Sequence, residues 1–203
     1  MEDTAIELTK TALLIVDLQN DFLHPDGAYA RAGQANADIA ALPDKVLPIA
    51  DALRARGGWV VSTQFTLVPG RDGEPFISPH LQVLRPFLGK GDFAPSSWGN
   101  SLVDNLQPAD LTVEKVAYSA FYMTRMEWVL RKAGIDRLFV GGIVTNGGVA
   151  STVRDAHVRD FCITVLADGC ASFSEEAHRR AIDDLSTVCS VATCEDAVAA
   201  ITA

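Results

Sequence analysis

Six short, continuous apolar runs, separated in most cases by stretches with helical spacing, restrict this chain to a narrow set of folds. Residues 11–17 read TALLIVD, and similar runs recur at residues 58–63 (GWVVST), 111–115 (LTVEK), 137–143 (RLFVGGI), 162–168 (CITVLAD) and 189–193 (CSVAT). Apolar runs this short, without polar alternation, suit strands buried on both faces. Residues 38–56 carry apolar side chains at helical spacing and stop at Gly57, which can take the left-handed conformation that ends a helix. Residues 124–133 stop at Gly134 in the same way, and residues 146–160 and 174–186 complete the helical set. Ser174 followed by Glu175 and Glu176 reads as an N-cap with acids in the first turn. Strands alternating with helices predict an α/β, Rossmann-like fold, a mainly parallel sheet with helices on both faces.

With 203 residues, the chain is long enough for one such domain, residues 1–203, and too short for two with full cores. Residues 67–100 are the longest irregular stretch and hold five of the nine prolines. They lie inside the alternation, so they read as a functional loop, a lid or a subunit contact.

Net charge limits the partners. Seventeen Lys and Arg against 26 Asp and Glu leave a formal charge of −9, which disfavours a nucleic-acid backbone or an anionic membrane. A small-molecule substrate in a locally basic pocket fits that charge. No apolar run reaches the roughly 20 residues needed to span a bilayer. Residues 1–10 are polar and acidic, unlike a secretory signal, so the expected compartment is the cytoplasm. The four cysteines show no metal-binding spacing and read as reduced thiols. The order GGIVTNGG lacks the glycine spacing of a dinucleotide loop, and no cofactor is expected.

In open parallel sheets, ligands bind beyond the carboxyl ends of the strands. Asp17 ends the first run, Lys115 ends the third, and the glycine-rich turn at residues 145–149 follows the fourth and opens a helix. A carboxylate meeting an ammonium in a partly dry cleft is one way to make a catalytic acid or base, and a helix N-terminus can hold a developing oxyanion. Taken singly, each has an ordinary reading: a strand-end cap, a solvated lysine, a tight turn.

Four ordered segments carry more. Residues 12–22 (ALLIVDLQNDF), 114–121 (EKVAYSAF), 141–156 (GGIVTNGGVASTVRDA) and 167–179 (ADGCASFSEEAHR) resemble the motifs of the isochorismatase-like hydrolases, also called cysteine hydrolases. The resemblance implies a three-layer α/β/α fold with a six-stranded sheet and a homo-oligomer, dimer or tetramer. It implies an Asp–Lys–Cys triad in which Asp17 and Lys115 fill the first two places, and a cis peptide at Ile143–Val144. It places Phe22, Gln64, Tyr118, Val144, Thr145 and Gly147 beside the substrate.

The cysteine position holds Gly148. Without a thiolate, a covalent thioester route is closed. Some isochorismatases also resemble this chain in carrying glycine there; they protonate a vinyl ether and let water attack. By that resemblance Asp17 is the general acid, Lys115 positions it, and Gly148 leaves room. Isochorismatases tend to follow the lysine with Trp-Arg, where this chain has Val116 and Ala117. Arg71, Arg85 or Lys90 in the long loop could replace the lost carboxylate anchor. Ser151 and Cys170 read as structural rather than as substitute nucleophiles. Metal-binding members of the family carry an Asp and two His after the second strand; residues 64–69 (QFTLVP) lack them and His80 stands alone, so no metal is expected. The alternatives are an amide or ureide hydrolase with Asp17-activated water, and an inactive member that binds a small molecule.

Overall fold

A computed structural model describes residues 6–203, so the first five residues of the polar opening segment lie outside the described residues. Six strands form one sheet: β1 (Thr11–Val16), β2 (Trp59–Phe65), β3 (Leu111–Lys115), β4 (Arg137–Ile143), β5 (Cys162–Ala171) and β6 (Ser190–Ala192). The order is β3-β2-β1-β4-β5-β6 and every pairing is parallel. Chain order runs outward from β1 in one direction and from β4 in the other. Their carboxyl ends therefore flank the switch point where ligands enter such sheets.

All six residues of β1 are buried, as expected for the middle of a sheet covered on both faces. Its alternation divides the core. Ala12, Leu14 and Val16 pack on one side with Leu130, Val153 and Leu185, while Leu13 and Ile15 pack on the other with Val46, Ile49, Leu53 and Ile201. Truncating a fully buried leucine such as Leu13 to alanine costs about 2–5 kcal/mol.

Four short helices come first, α1 (Asn20–Leu23), α2 (Ala28–Arg31), α3 (Ala37–Ala40) and, within the long loop, α5 (Pro79–Leu84), with α4 (Leu42–Ala55) between the last two. Then come α6 (Met126–Lys132), α7 (Ala150–His157), α8 (Glu175–Leu185) and α9 (Cys194–Thr202). Helices α4 and α9 cover one face and α6, α7 and α8 the other, giving three layers.

The helix expected over residues 38–56 is two pieces. Pro43, in the first turn of α4, lacks an N–H and restricts the residue before it, so α3 cannot run straight through. The helix expected from residue 146 begins instead as one π-turn, Thr145–Val149, in which Val149 N–H donates to Val144 O at 3.2 Å, and continues as α7. Strand β5 extends three residues past Asp168, beyond a register shift opposite Val140 and Gly142. Gly142 has φ +127°, and a Cβ there would lie 2.1 Å from Val16 O, so only glycine permits this approach of β4 to β1.

Candidate active site

Asp17 is the first residue beyond β1. Its φ of +58° turns the chain out of the strand, a conformation more accessible to Asp than to most residues. The backbone N–H of Asp17 donates to Thr63 Oγ1 at 3.1 Å, and the Thr63 hydroxyl donates to Asp17 Oδ1 at 2.5 Å. The other carboxylate oxygen, Oδ2, lies 2.6 Å from Lys115 Nζ. Lys115 comes from the end of β3, paired in register with Phe65, whose ring lies 5.6 Å from the ammonium. Its Nζ also donates to Ala117 O at 3.0 Å. Asp17 is 4% exposed and Lys115 2%, so water screens their attraction little.

Gly148 lies in the π-turn, opposite this pair. A Cβ built there would meet Ile143 O at 2.9 Å and both Asp17 Oδ2 and Val16 Cγ1 at 3.4 Å. A side chain at residue 148 would therefore press on Ile143 O and stand in van der Waals contact with the carboxylate oxygen that Lys115 holds. The Ile143–Val144 peptide preceding the turn is cis.

These groups open into a cavity of about 420 Å³. Of the residues singled out from the sequence, Asp17, Lys115, Gly148, Phe22, Tyr118 and Val144 line it. Thr145, Gly147 and Gln64 do not. Thr145 is fully buried, with its hydroxyl 2.8 Å from His178 Nδ1. Gly147 stands behind two of the lining residues, since a side chain there would meet Val144 Cγ2 at 2.9 Å and the ring of Tyr118 at 3.5 Å. Gln64 faces a separate hollow with Glu114 and Thr112. The reason is strand alternation: Gln64 pairs in register with Glu114, while Phe65 pairs with Lys115, and neighbours along a strand point to opposite faces.

Residues 11–197 match the Isochorismatase domain family. The chain belongs to the isochorismatase family of hydrolases. Ureidoacrylate amidohydrolase of Methylobacterium radiotolerans is 33% identical over 198 residues, covering 92% of this chain and 77% of that protein. An isochorismatase family protein of Bacillus subtilis is 31% identical over 179 residues, covering 88% of this chain and 86% of its own. A cysteine hydrolase of Pseudomonas syringae pv. phaseolicola shares the fold, with a TM-score of 0.82 at 23% identity over 100% of this chain and 99% of that one.

Within this isochorismatase-family fold, the residues after Asp17 hold the long loop. Gln19 Nε2 donates to Phe65 O at 3.0 Å and Asn100 O at 2.8 Å, and its Oε1 accepts from Phe65 N at 2.8 Å. Asn20 Nδ2 donates to Trp98 O at 2.9 Å. Asp21 accepts from Phe93 N and Ala28 N at 2.6 and 3.0 Å. The motif's polar residues thus satisfy buried backbone groups, and the loop they fix contributes Leu81, Leu84, Arg85 and Leu88 to the cavity wall.

Thr63, Tyr29 and Phe173 were not singled out from the sequence. Thr63 was accessible to it: two residues before Phe65 on the same strand, it shares the face that Lys115 uses. Tyr29 and Phe173 reach the cavity from α2 and from the end of β5, and nothing in their spacing indicates it. Cys170 is no substitute nucleophile. Its thiol is buried against Val140 O at 3.7 Å, and burial pushes its pKa well above the ordinary thiol range. His24 packs edge-on to Trp98 outside the cavity, 4.8 Å between ring centroids. Among the described residues, no three His, Cys, Asp or Glu side chains are grouped to hold a metal ion, and no helix is long and apolar enough to cross a membrane.

Proposed function

We propose that the chain, as a single domain over residues 1–203, hydrolyses a small molecule by Asp17 acid–base catalysis without a covalent enzyme intermediate. One observation carries this reading: residue 148 offers no side chain where a Cβ would stand 3.4 Å from Asp17 Oδ2. Gly148, read as standing at the family's cysteine position, leaves space there for water and for the reacting group. Lys115 fixes the carboxylate, Thr63 fixes its second oxygen, and the surrounding apolar wall keeps bulk water away.

An isochorismate-like vinyl ether suits this arrangement, because its hydrolysis needs a proton and then water but no nucleophile on the protein. Asp17, protonated as the substrate enters, delivers its proton to the vinyl carbon. Water adds to the oxocarbenium ion and returns a proton to Asp17, and the hemiketal so formed collapses, breaking the ether C–O bond to leave a ketone and the alcohol. A second reading has support from the 33% identical ureidoacrylate amidohydrolase: cleavage of a C–N bond in an amide or ureide, with Asp17 as the base that activates water.

Pyruvate release from isochorismate, and ammonia release from small amides and ureides, separate the two when run beside Asp17→Asn. Turnover lost in Asp17→Asn supports acid–base catalysis, and the product names the bond. A Gly148→Ala variant should lose at least tenfold in turnover; an unimpaired Gly148→Ala enzyme would contradict the space argument. Binding without turnover in any assay would favour the inactive, small-molecule-binding alternative.

We also infer a homo-oligomer. Tyr122, Met123 and Trp128, which follow β3, are 56, 81 and 64% exposed, an apolar surface that association would cover. Light scattering on the purified chain tests it.

A further inference from the structure

Three of the residues lining the cavity carry full charges, Asp17, Lys115 and Arg85. Two cations against one carboxylate leave the cavity net positive, in a chain whose formal charge is −9. Lys115 is committed to Asp17, whereas Arg85 has no carboxylate within ion-pair distance among the described residues. The Arg85 guanidinium is held in place without being neutralised. Its carbon lies 4.9 Å from the Phe173 ring centroid and 5.7 Å from that of Tyr29. Its Nε donates to Tyr29 Oη at 3.1 Å and its Nη1 to Leu84 O at 2.8 Å. No protein acceptor among the described residues takes Nη2, and no unpartnered side-chain nitrogen there is buried, so Nη2 opens to solvent or to the cavity.

Tyr29 adds a second donor. Its hydroxyl accepts from Arg85, which leaves its own O–H free for a ligand, and the buried ring lines the same cavity. Burial is the main cause holding the phenol above its ordinary pKa, so it stays a donor at neutral pH. A planar guanidinium with free N–H groups beside a phenol O–H matches the two oxygens of a carboxylate.

We infer that Arg85 and Tyr29 form an anion-binding subsite, and that the substrate hydrolysed at Asp17 carries a carboxylate at its far end. The inference rests on reading this cavity as the hydrolytic site, but it is tested by binding alone. The rest of the wall is largely aromatic and aliphatic, so the substrate's middle is apolar or unsaturated.

Cinnamate and cinnamamide share a shape and differ in charge. Calorimetric titration should show the wild-type chain binding cinnamate at least tenfold more tightly than cinnamamide. Arg85→Met should remove that preference, Arg85→Lys should keep part of it, and Tyr29→Phe should weaken cinnamate about threefold with little effect on cinnamamide. Asp17→Asn should keep the preference for the acid even where turnover is lost, so failure of the acid–base reading leaves this result standing. Equal affinities for acid and amide in the wild-type chain, no binding of either, or a preference that survives in Arg85→Met would each overturn the subsite. If Arg85→Met does not fold, the wild-type comparison and Tyr29→Phe decide.

Discussion

Thr63 and Asp17 clasp each other through a single hydroxyl, which accepts the Asp17 backbone N–H at 3.1 Å and donates to its Oδ1 at 2.5 Å. One side chain on β2 thus stabilises the left-handed turn of Asp17 and aims its carboxylate. Thr63→Val keeps the shape and removes both bonds. A hydrogen bond to a charged group contributes about 1.5–3 kcal/mol, so turnover should fall at least tenfold. Thr63→Ser should retain most activity. Steady-state rates on the substrate found by the release assays, compared at matched thermal stability, provide the check.

Lys115→Met leaves the Asp17 carboxylate buried without its cation. Breaking a buried pair from one side costs about 3–5 kcal/mol, whereas removing both charges costs much less. Urea unfolding should therefore show Lys115→Met markedly destabilised and the double variant Asp17→Asn/Lys115→Met partly recovered. A double variant as unstable as the sum of the two singles would mean that the pair contributes no coupling.

Gln19→Leu deprives Phe65 N, Phe65 O and Asn100 O of one partner each. Phe65 O keeps Asn100 Nδ2 as a donor at 2.9 Å, and each buried polar group left unpaired costs about 1–3 kcal/mol. The loss should be local: hydrogen exchange ought to quicken around residues 93–102 while β1 and β4 keep their protection.

His178 should make stability depend on pH. Burial, aided by Lys45 and opposed by Asp38 and Glu175, holds its imidazole below the ordinary 6.5. The unfolded chain then binds the proton more readily than the folded one. This contribution is intact above about pH 6.5 and is lost as pH falls from there through the lowered folded value. Urea midpoints measured between pH 8 and pH 5 should decline on the acid side, less steeply in His178→Asn. An identical decline in both proteins would assign it to other groups.

The four thiols should separate by accessibility. Burial is the first cause pushing Cys170 and Cys189 up, and burial followed by the neighbouring Asp168 pushes Cys194 up to about 12, whereas Cys162 is exposed. Intact mass after brief iodoacetamide treatment at neutral pH should show one adduct, at Cys162, with the others modified only after denaturation.

The central strands β1 and β4 were legible because burial on both faces narrows the choice of residue, as TALLIVD and RLFVGGI show, whereas the edge strands β3 and β6 are only partly buried. The C-terminal helix α9 was missed although its start was marked, since Thr193 and Asp196 cap it reciprocally. The apolar run at residues 189–193 concealed the cap by looking like a longer strand. In the site, places at two strand ends allowed Asp17 and Lys115 to meet, but it was the likeness of residues 12–22 and 114–121 to the family's motifs that singled the pair out. Gln64 lies outside the cavity because a strand-end position does not say which face a side chain takes, and Phe65 paired with Lys115 decides that. Arg85 was visible only as one of several loop cations; its stacking on Phe173 depends on contacts far apart in sequence.

The excursion from Leu67 to Phe93 leaves and rejoins the body of the protein at one place, where Leu67 N–H donates to Phe93 O at 3.1 Å. Gln19, Asn20 and Asp21 fasten only the backbone beside its two ends. The chain between them is tied to the body by side chains alone, with Leu81, Phe87 and Leu88 packed with Phe22 and Tyr29, and Arg85 held on Tyr29 and Phe173. Away from those contacts its length can change at small cost, since doubling a loop adds only about 0.6 kcal/mol of closure entropy. Such changes would rebuild the wall that meets the ligand and leave the strand that carries Asp17 where it is. Selectivity and reactivity in this protein can thus be inherited separately.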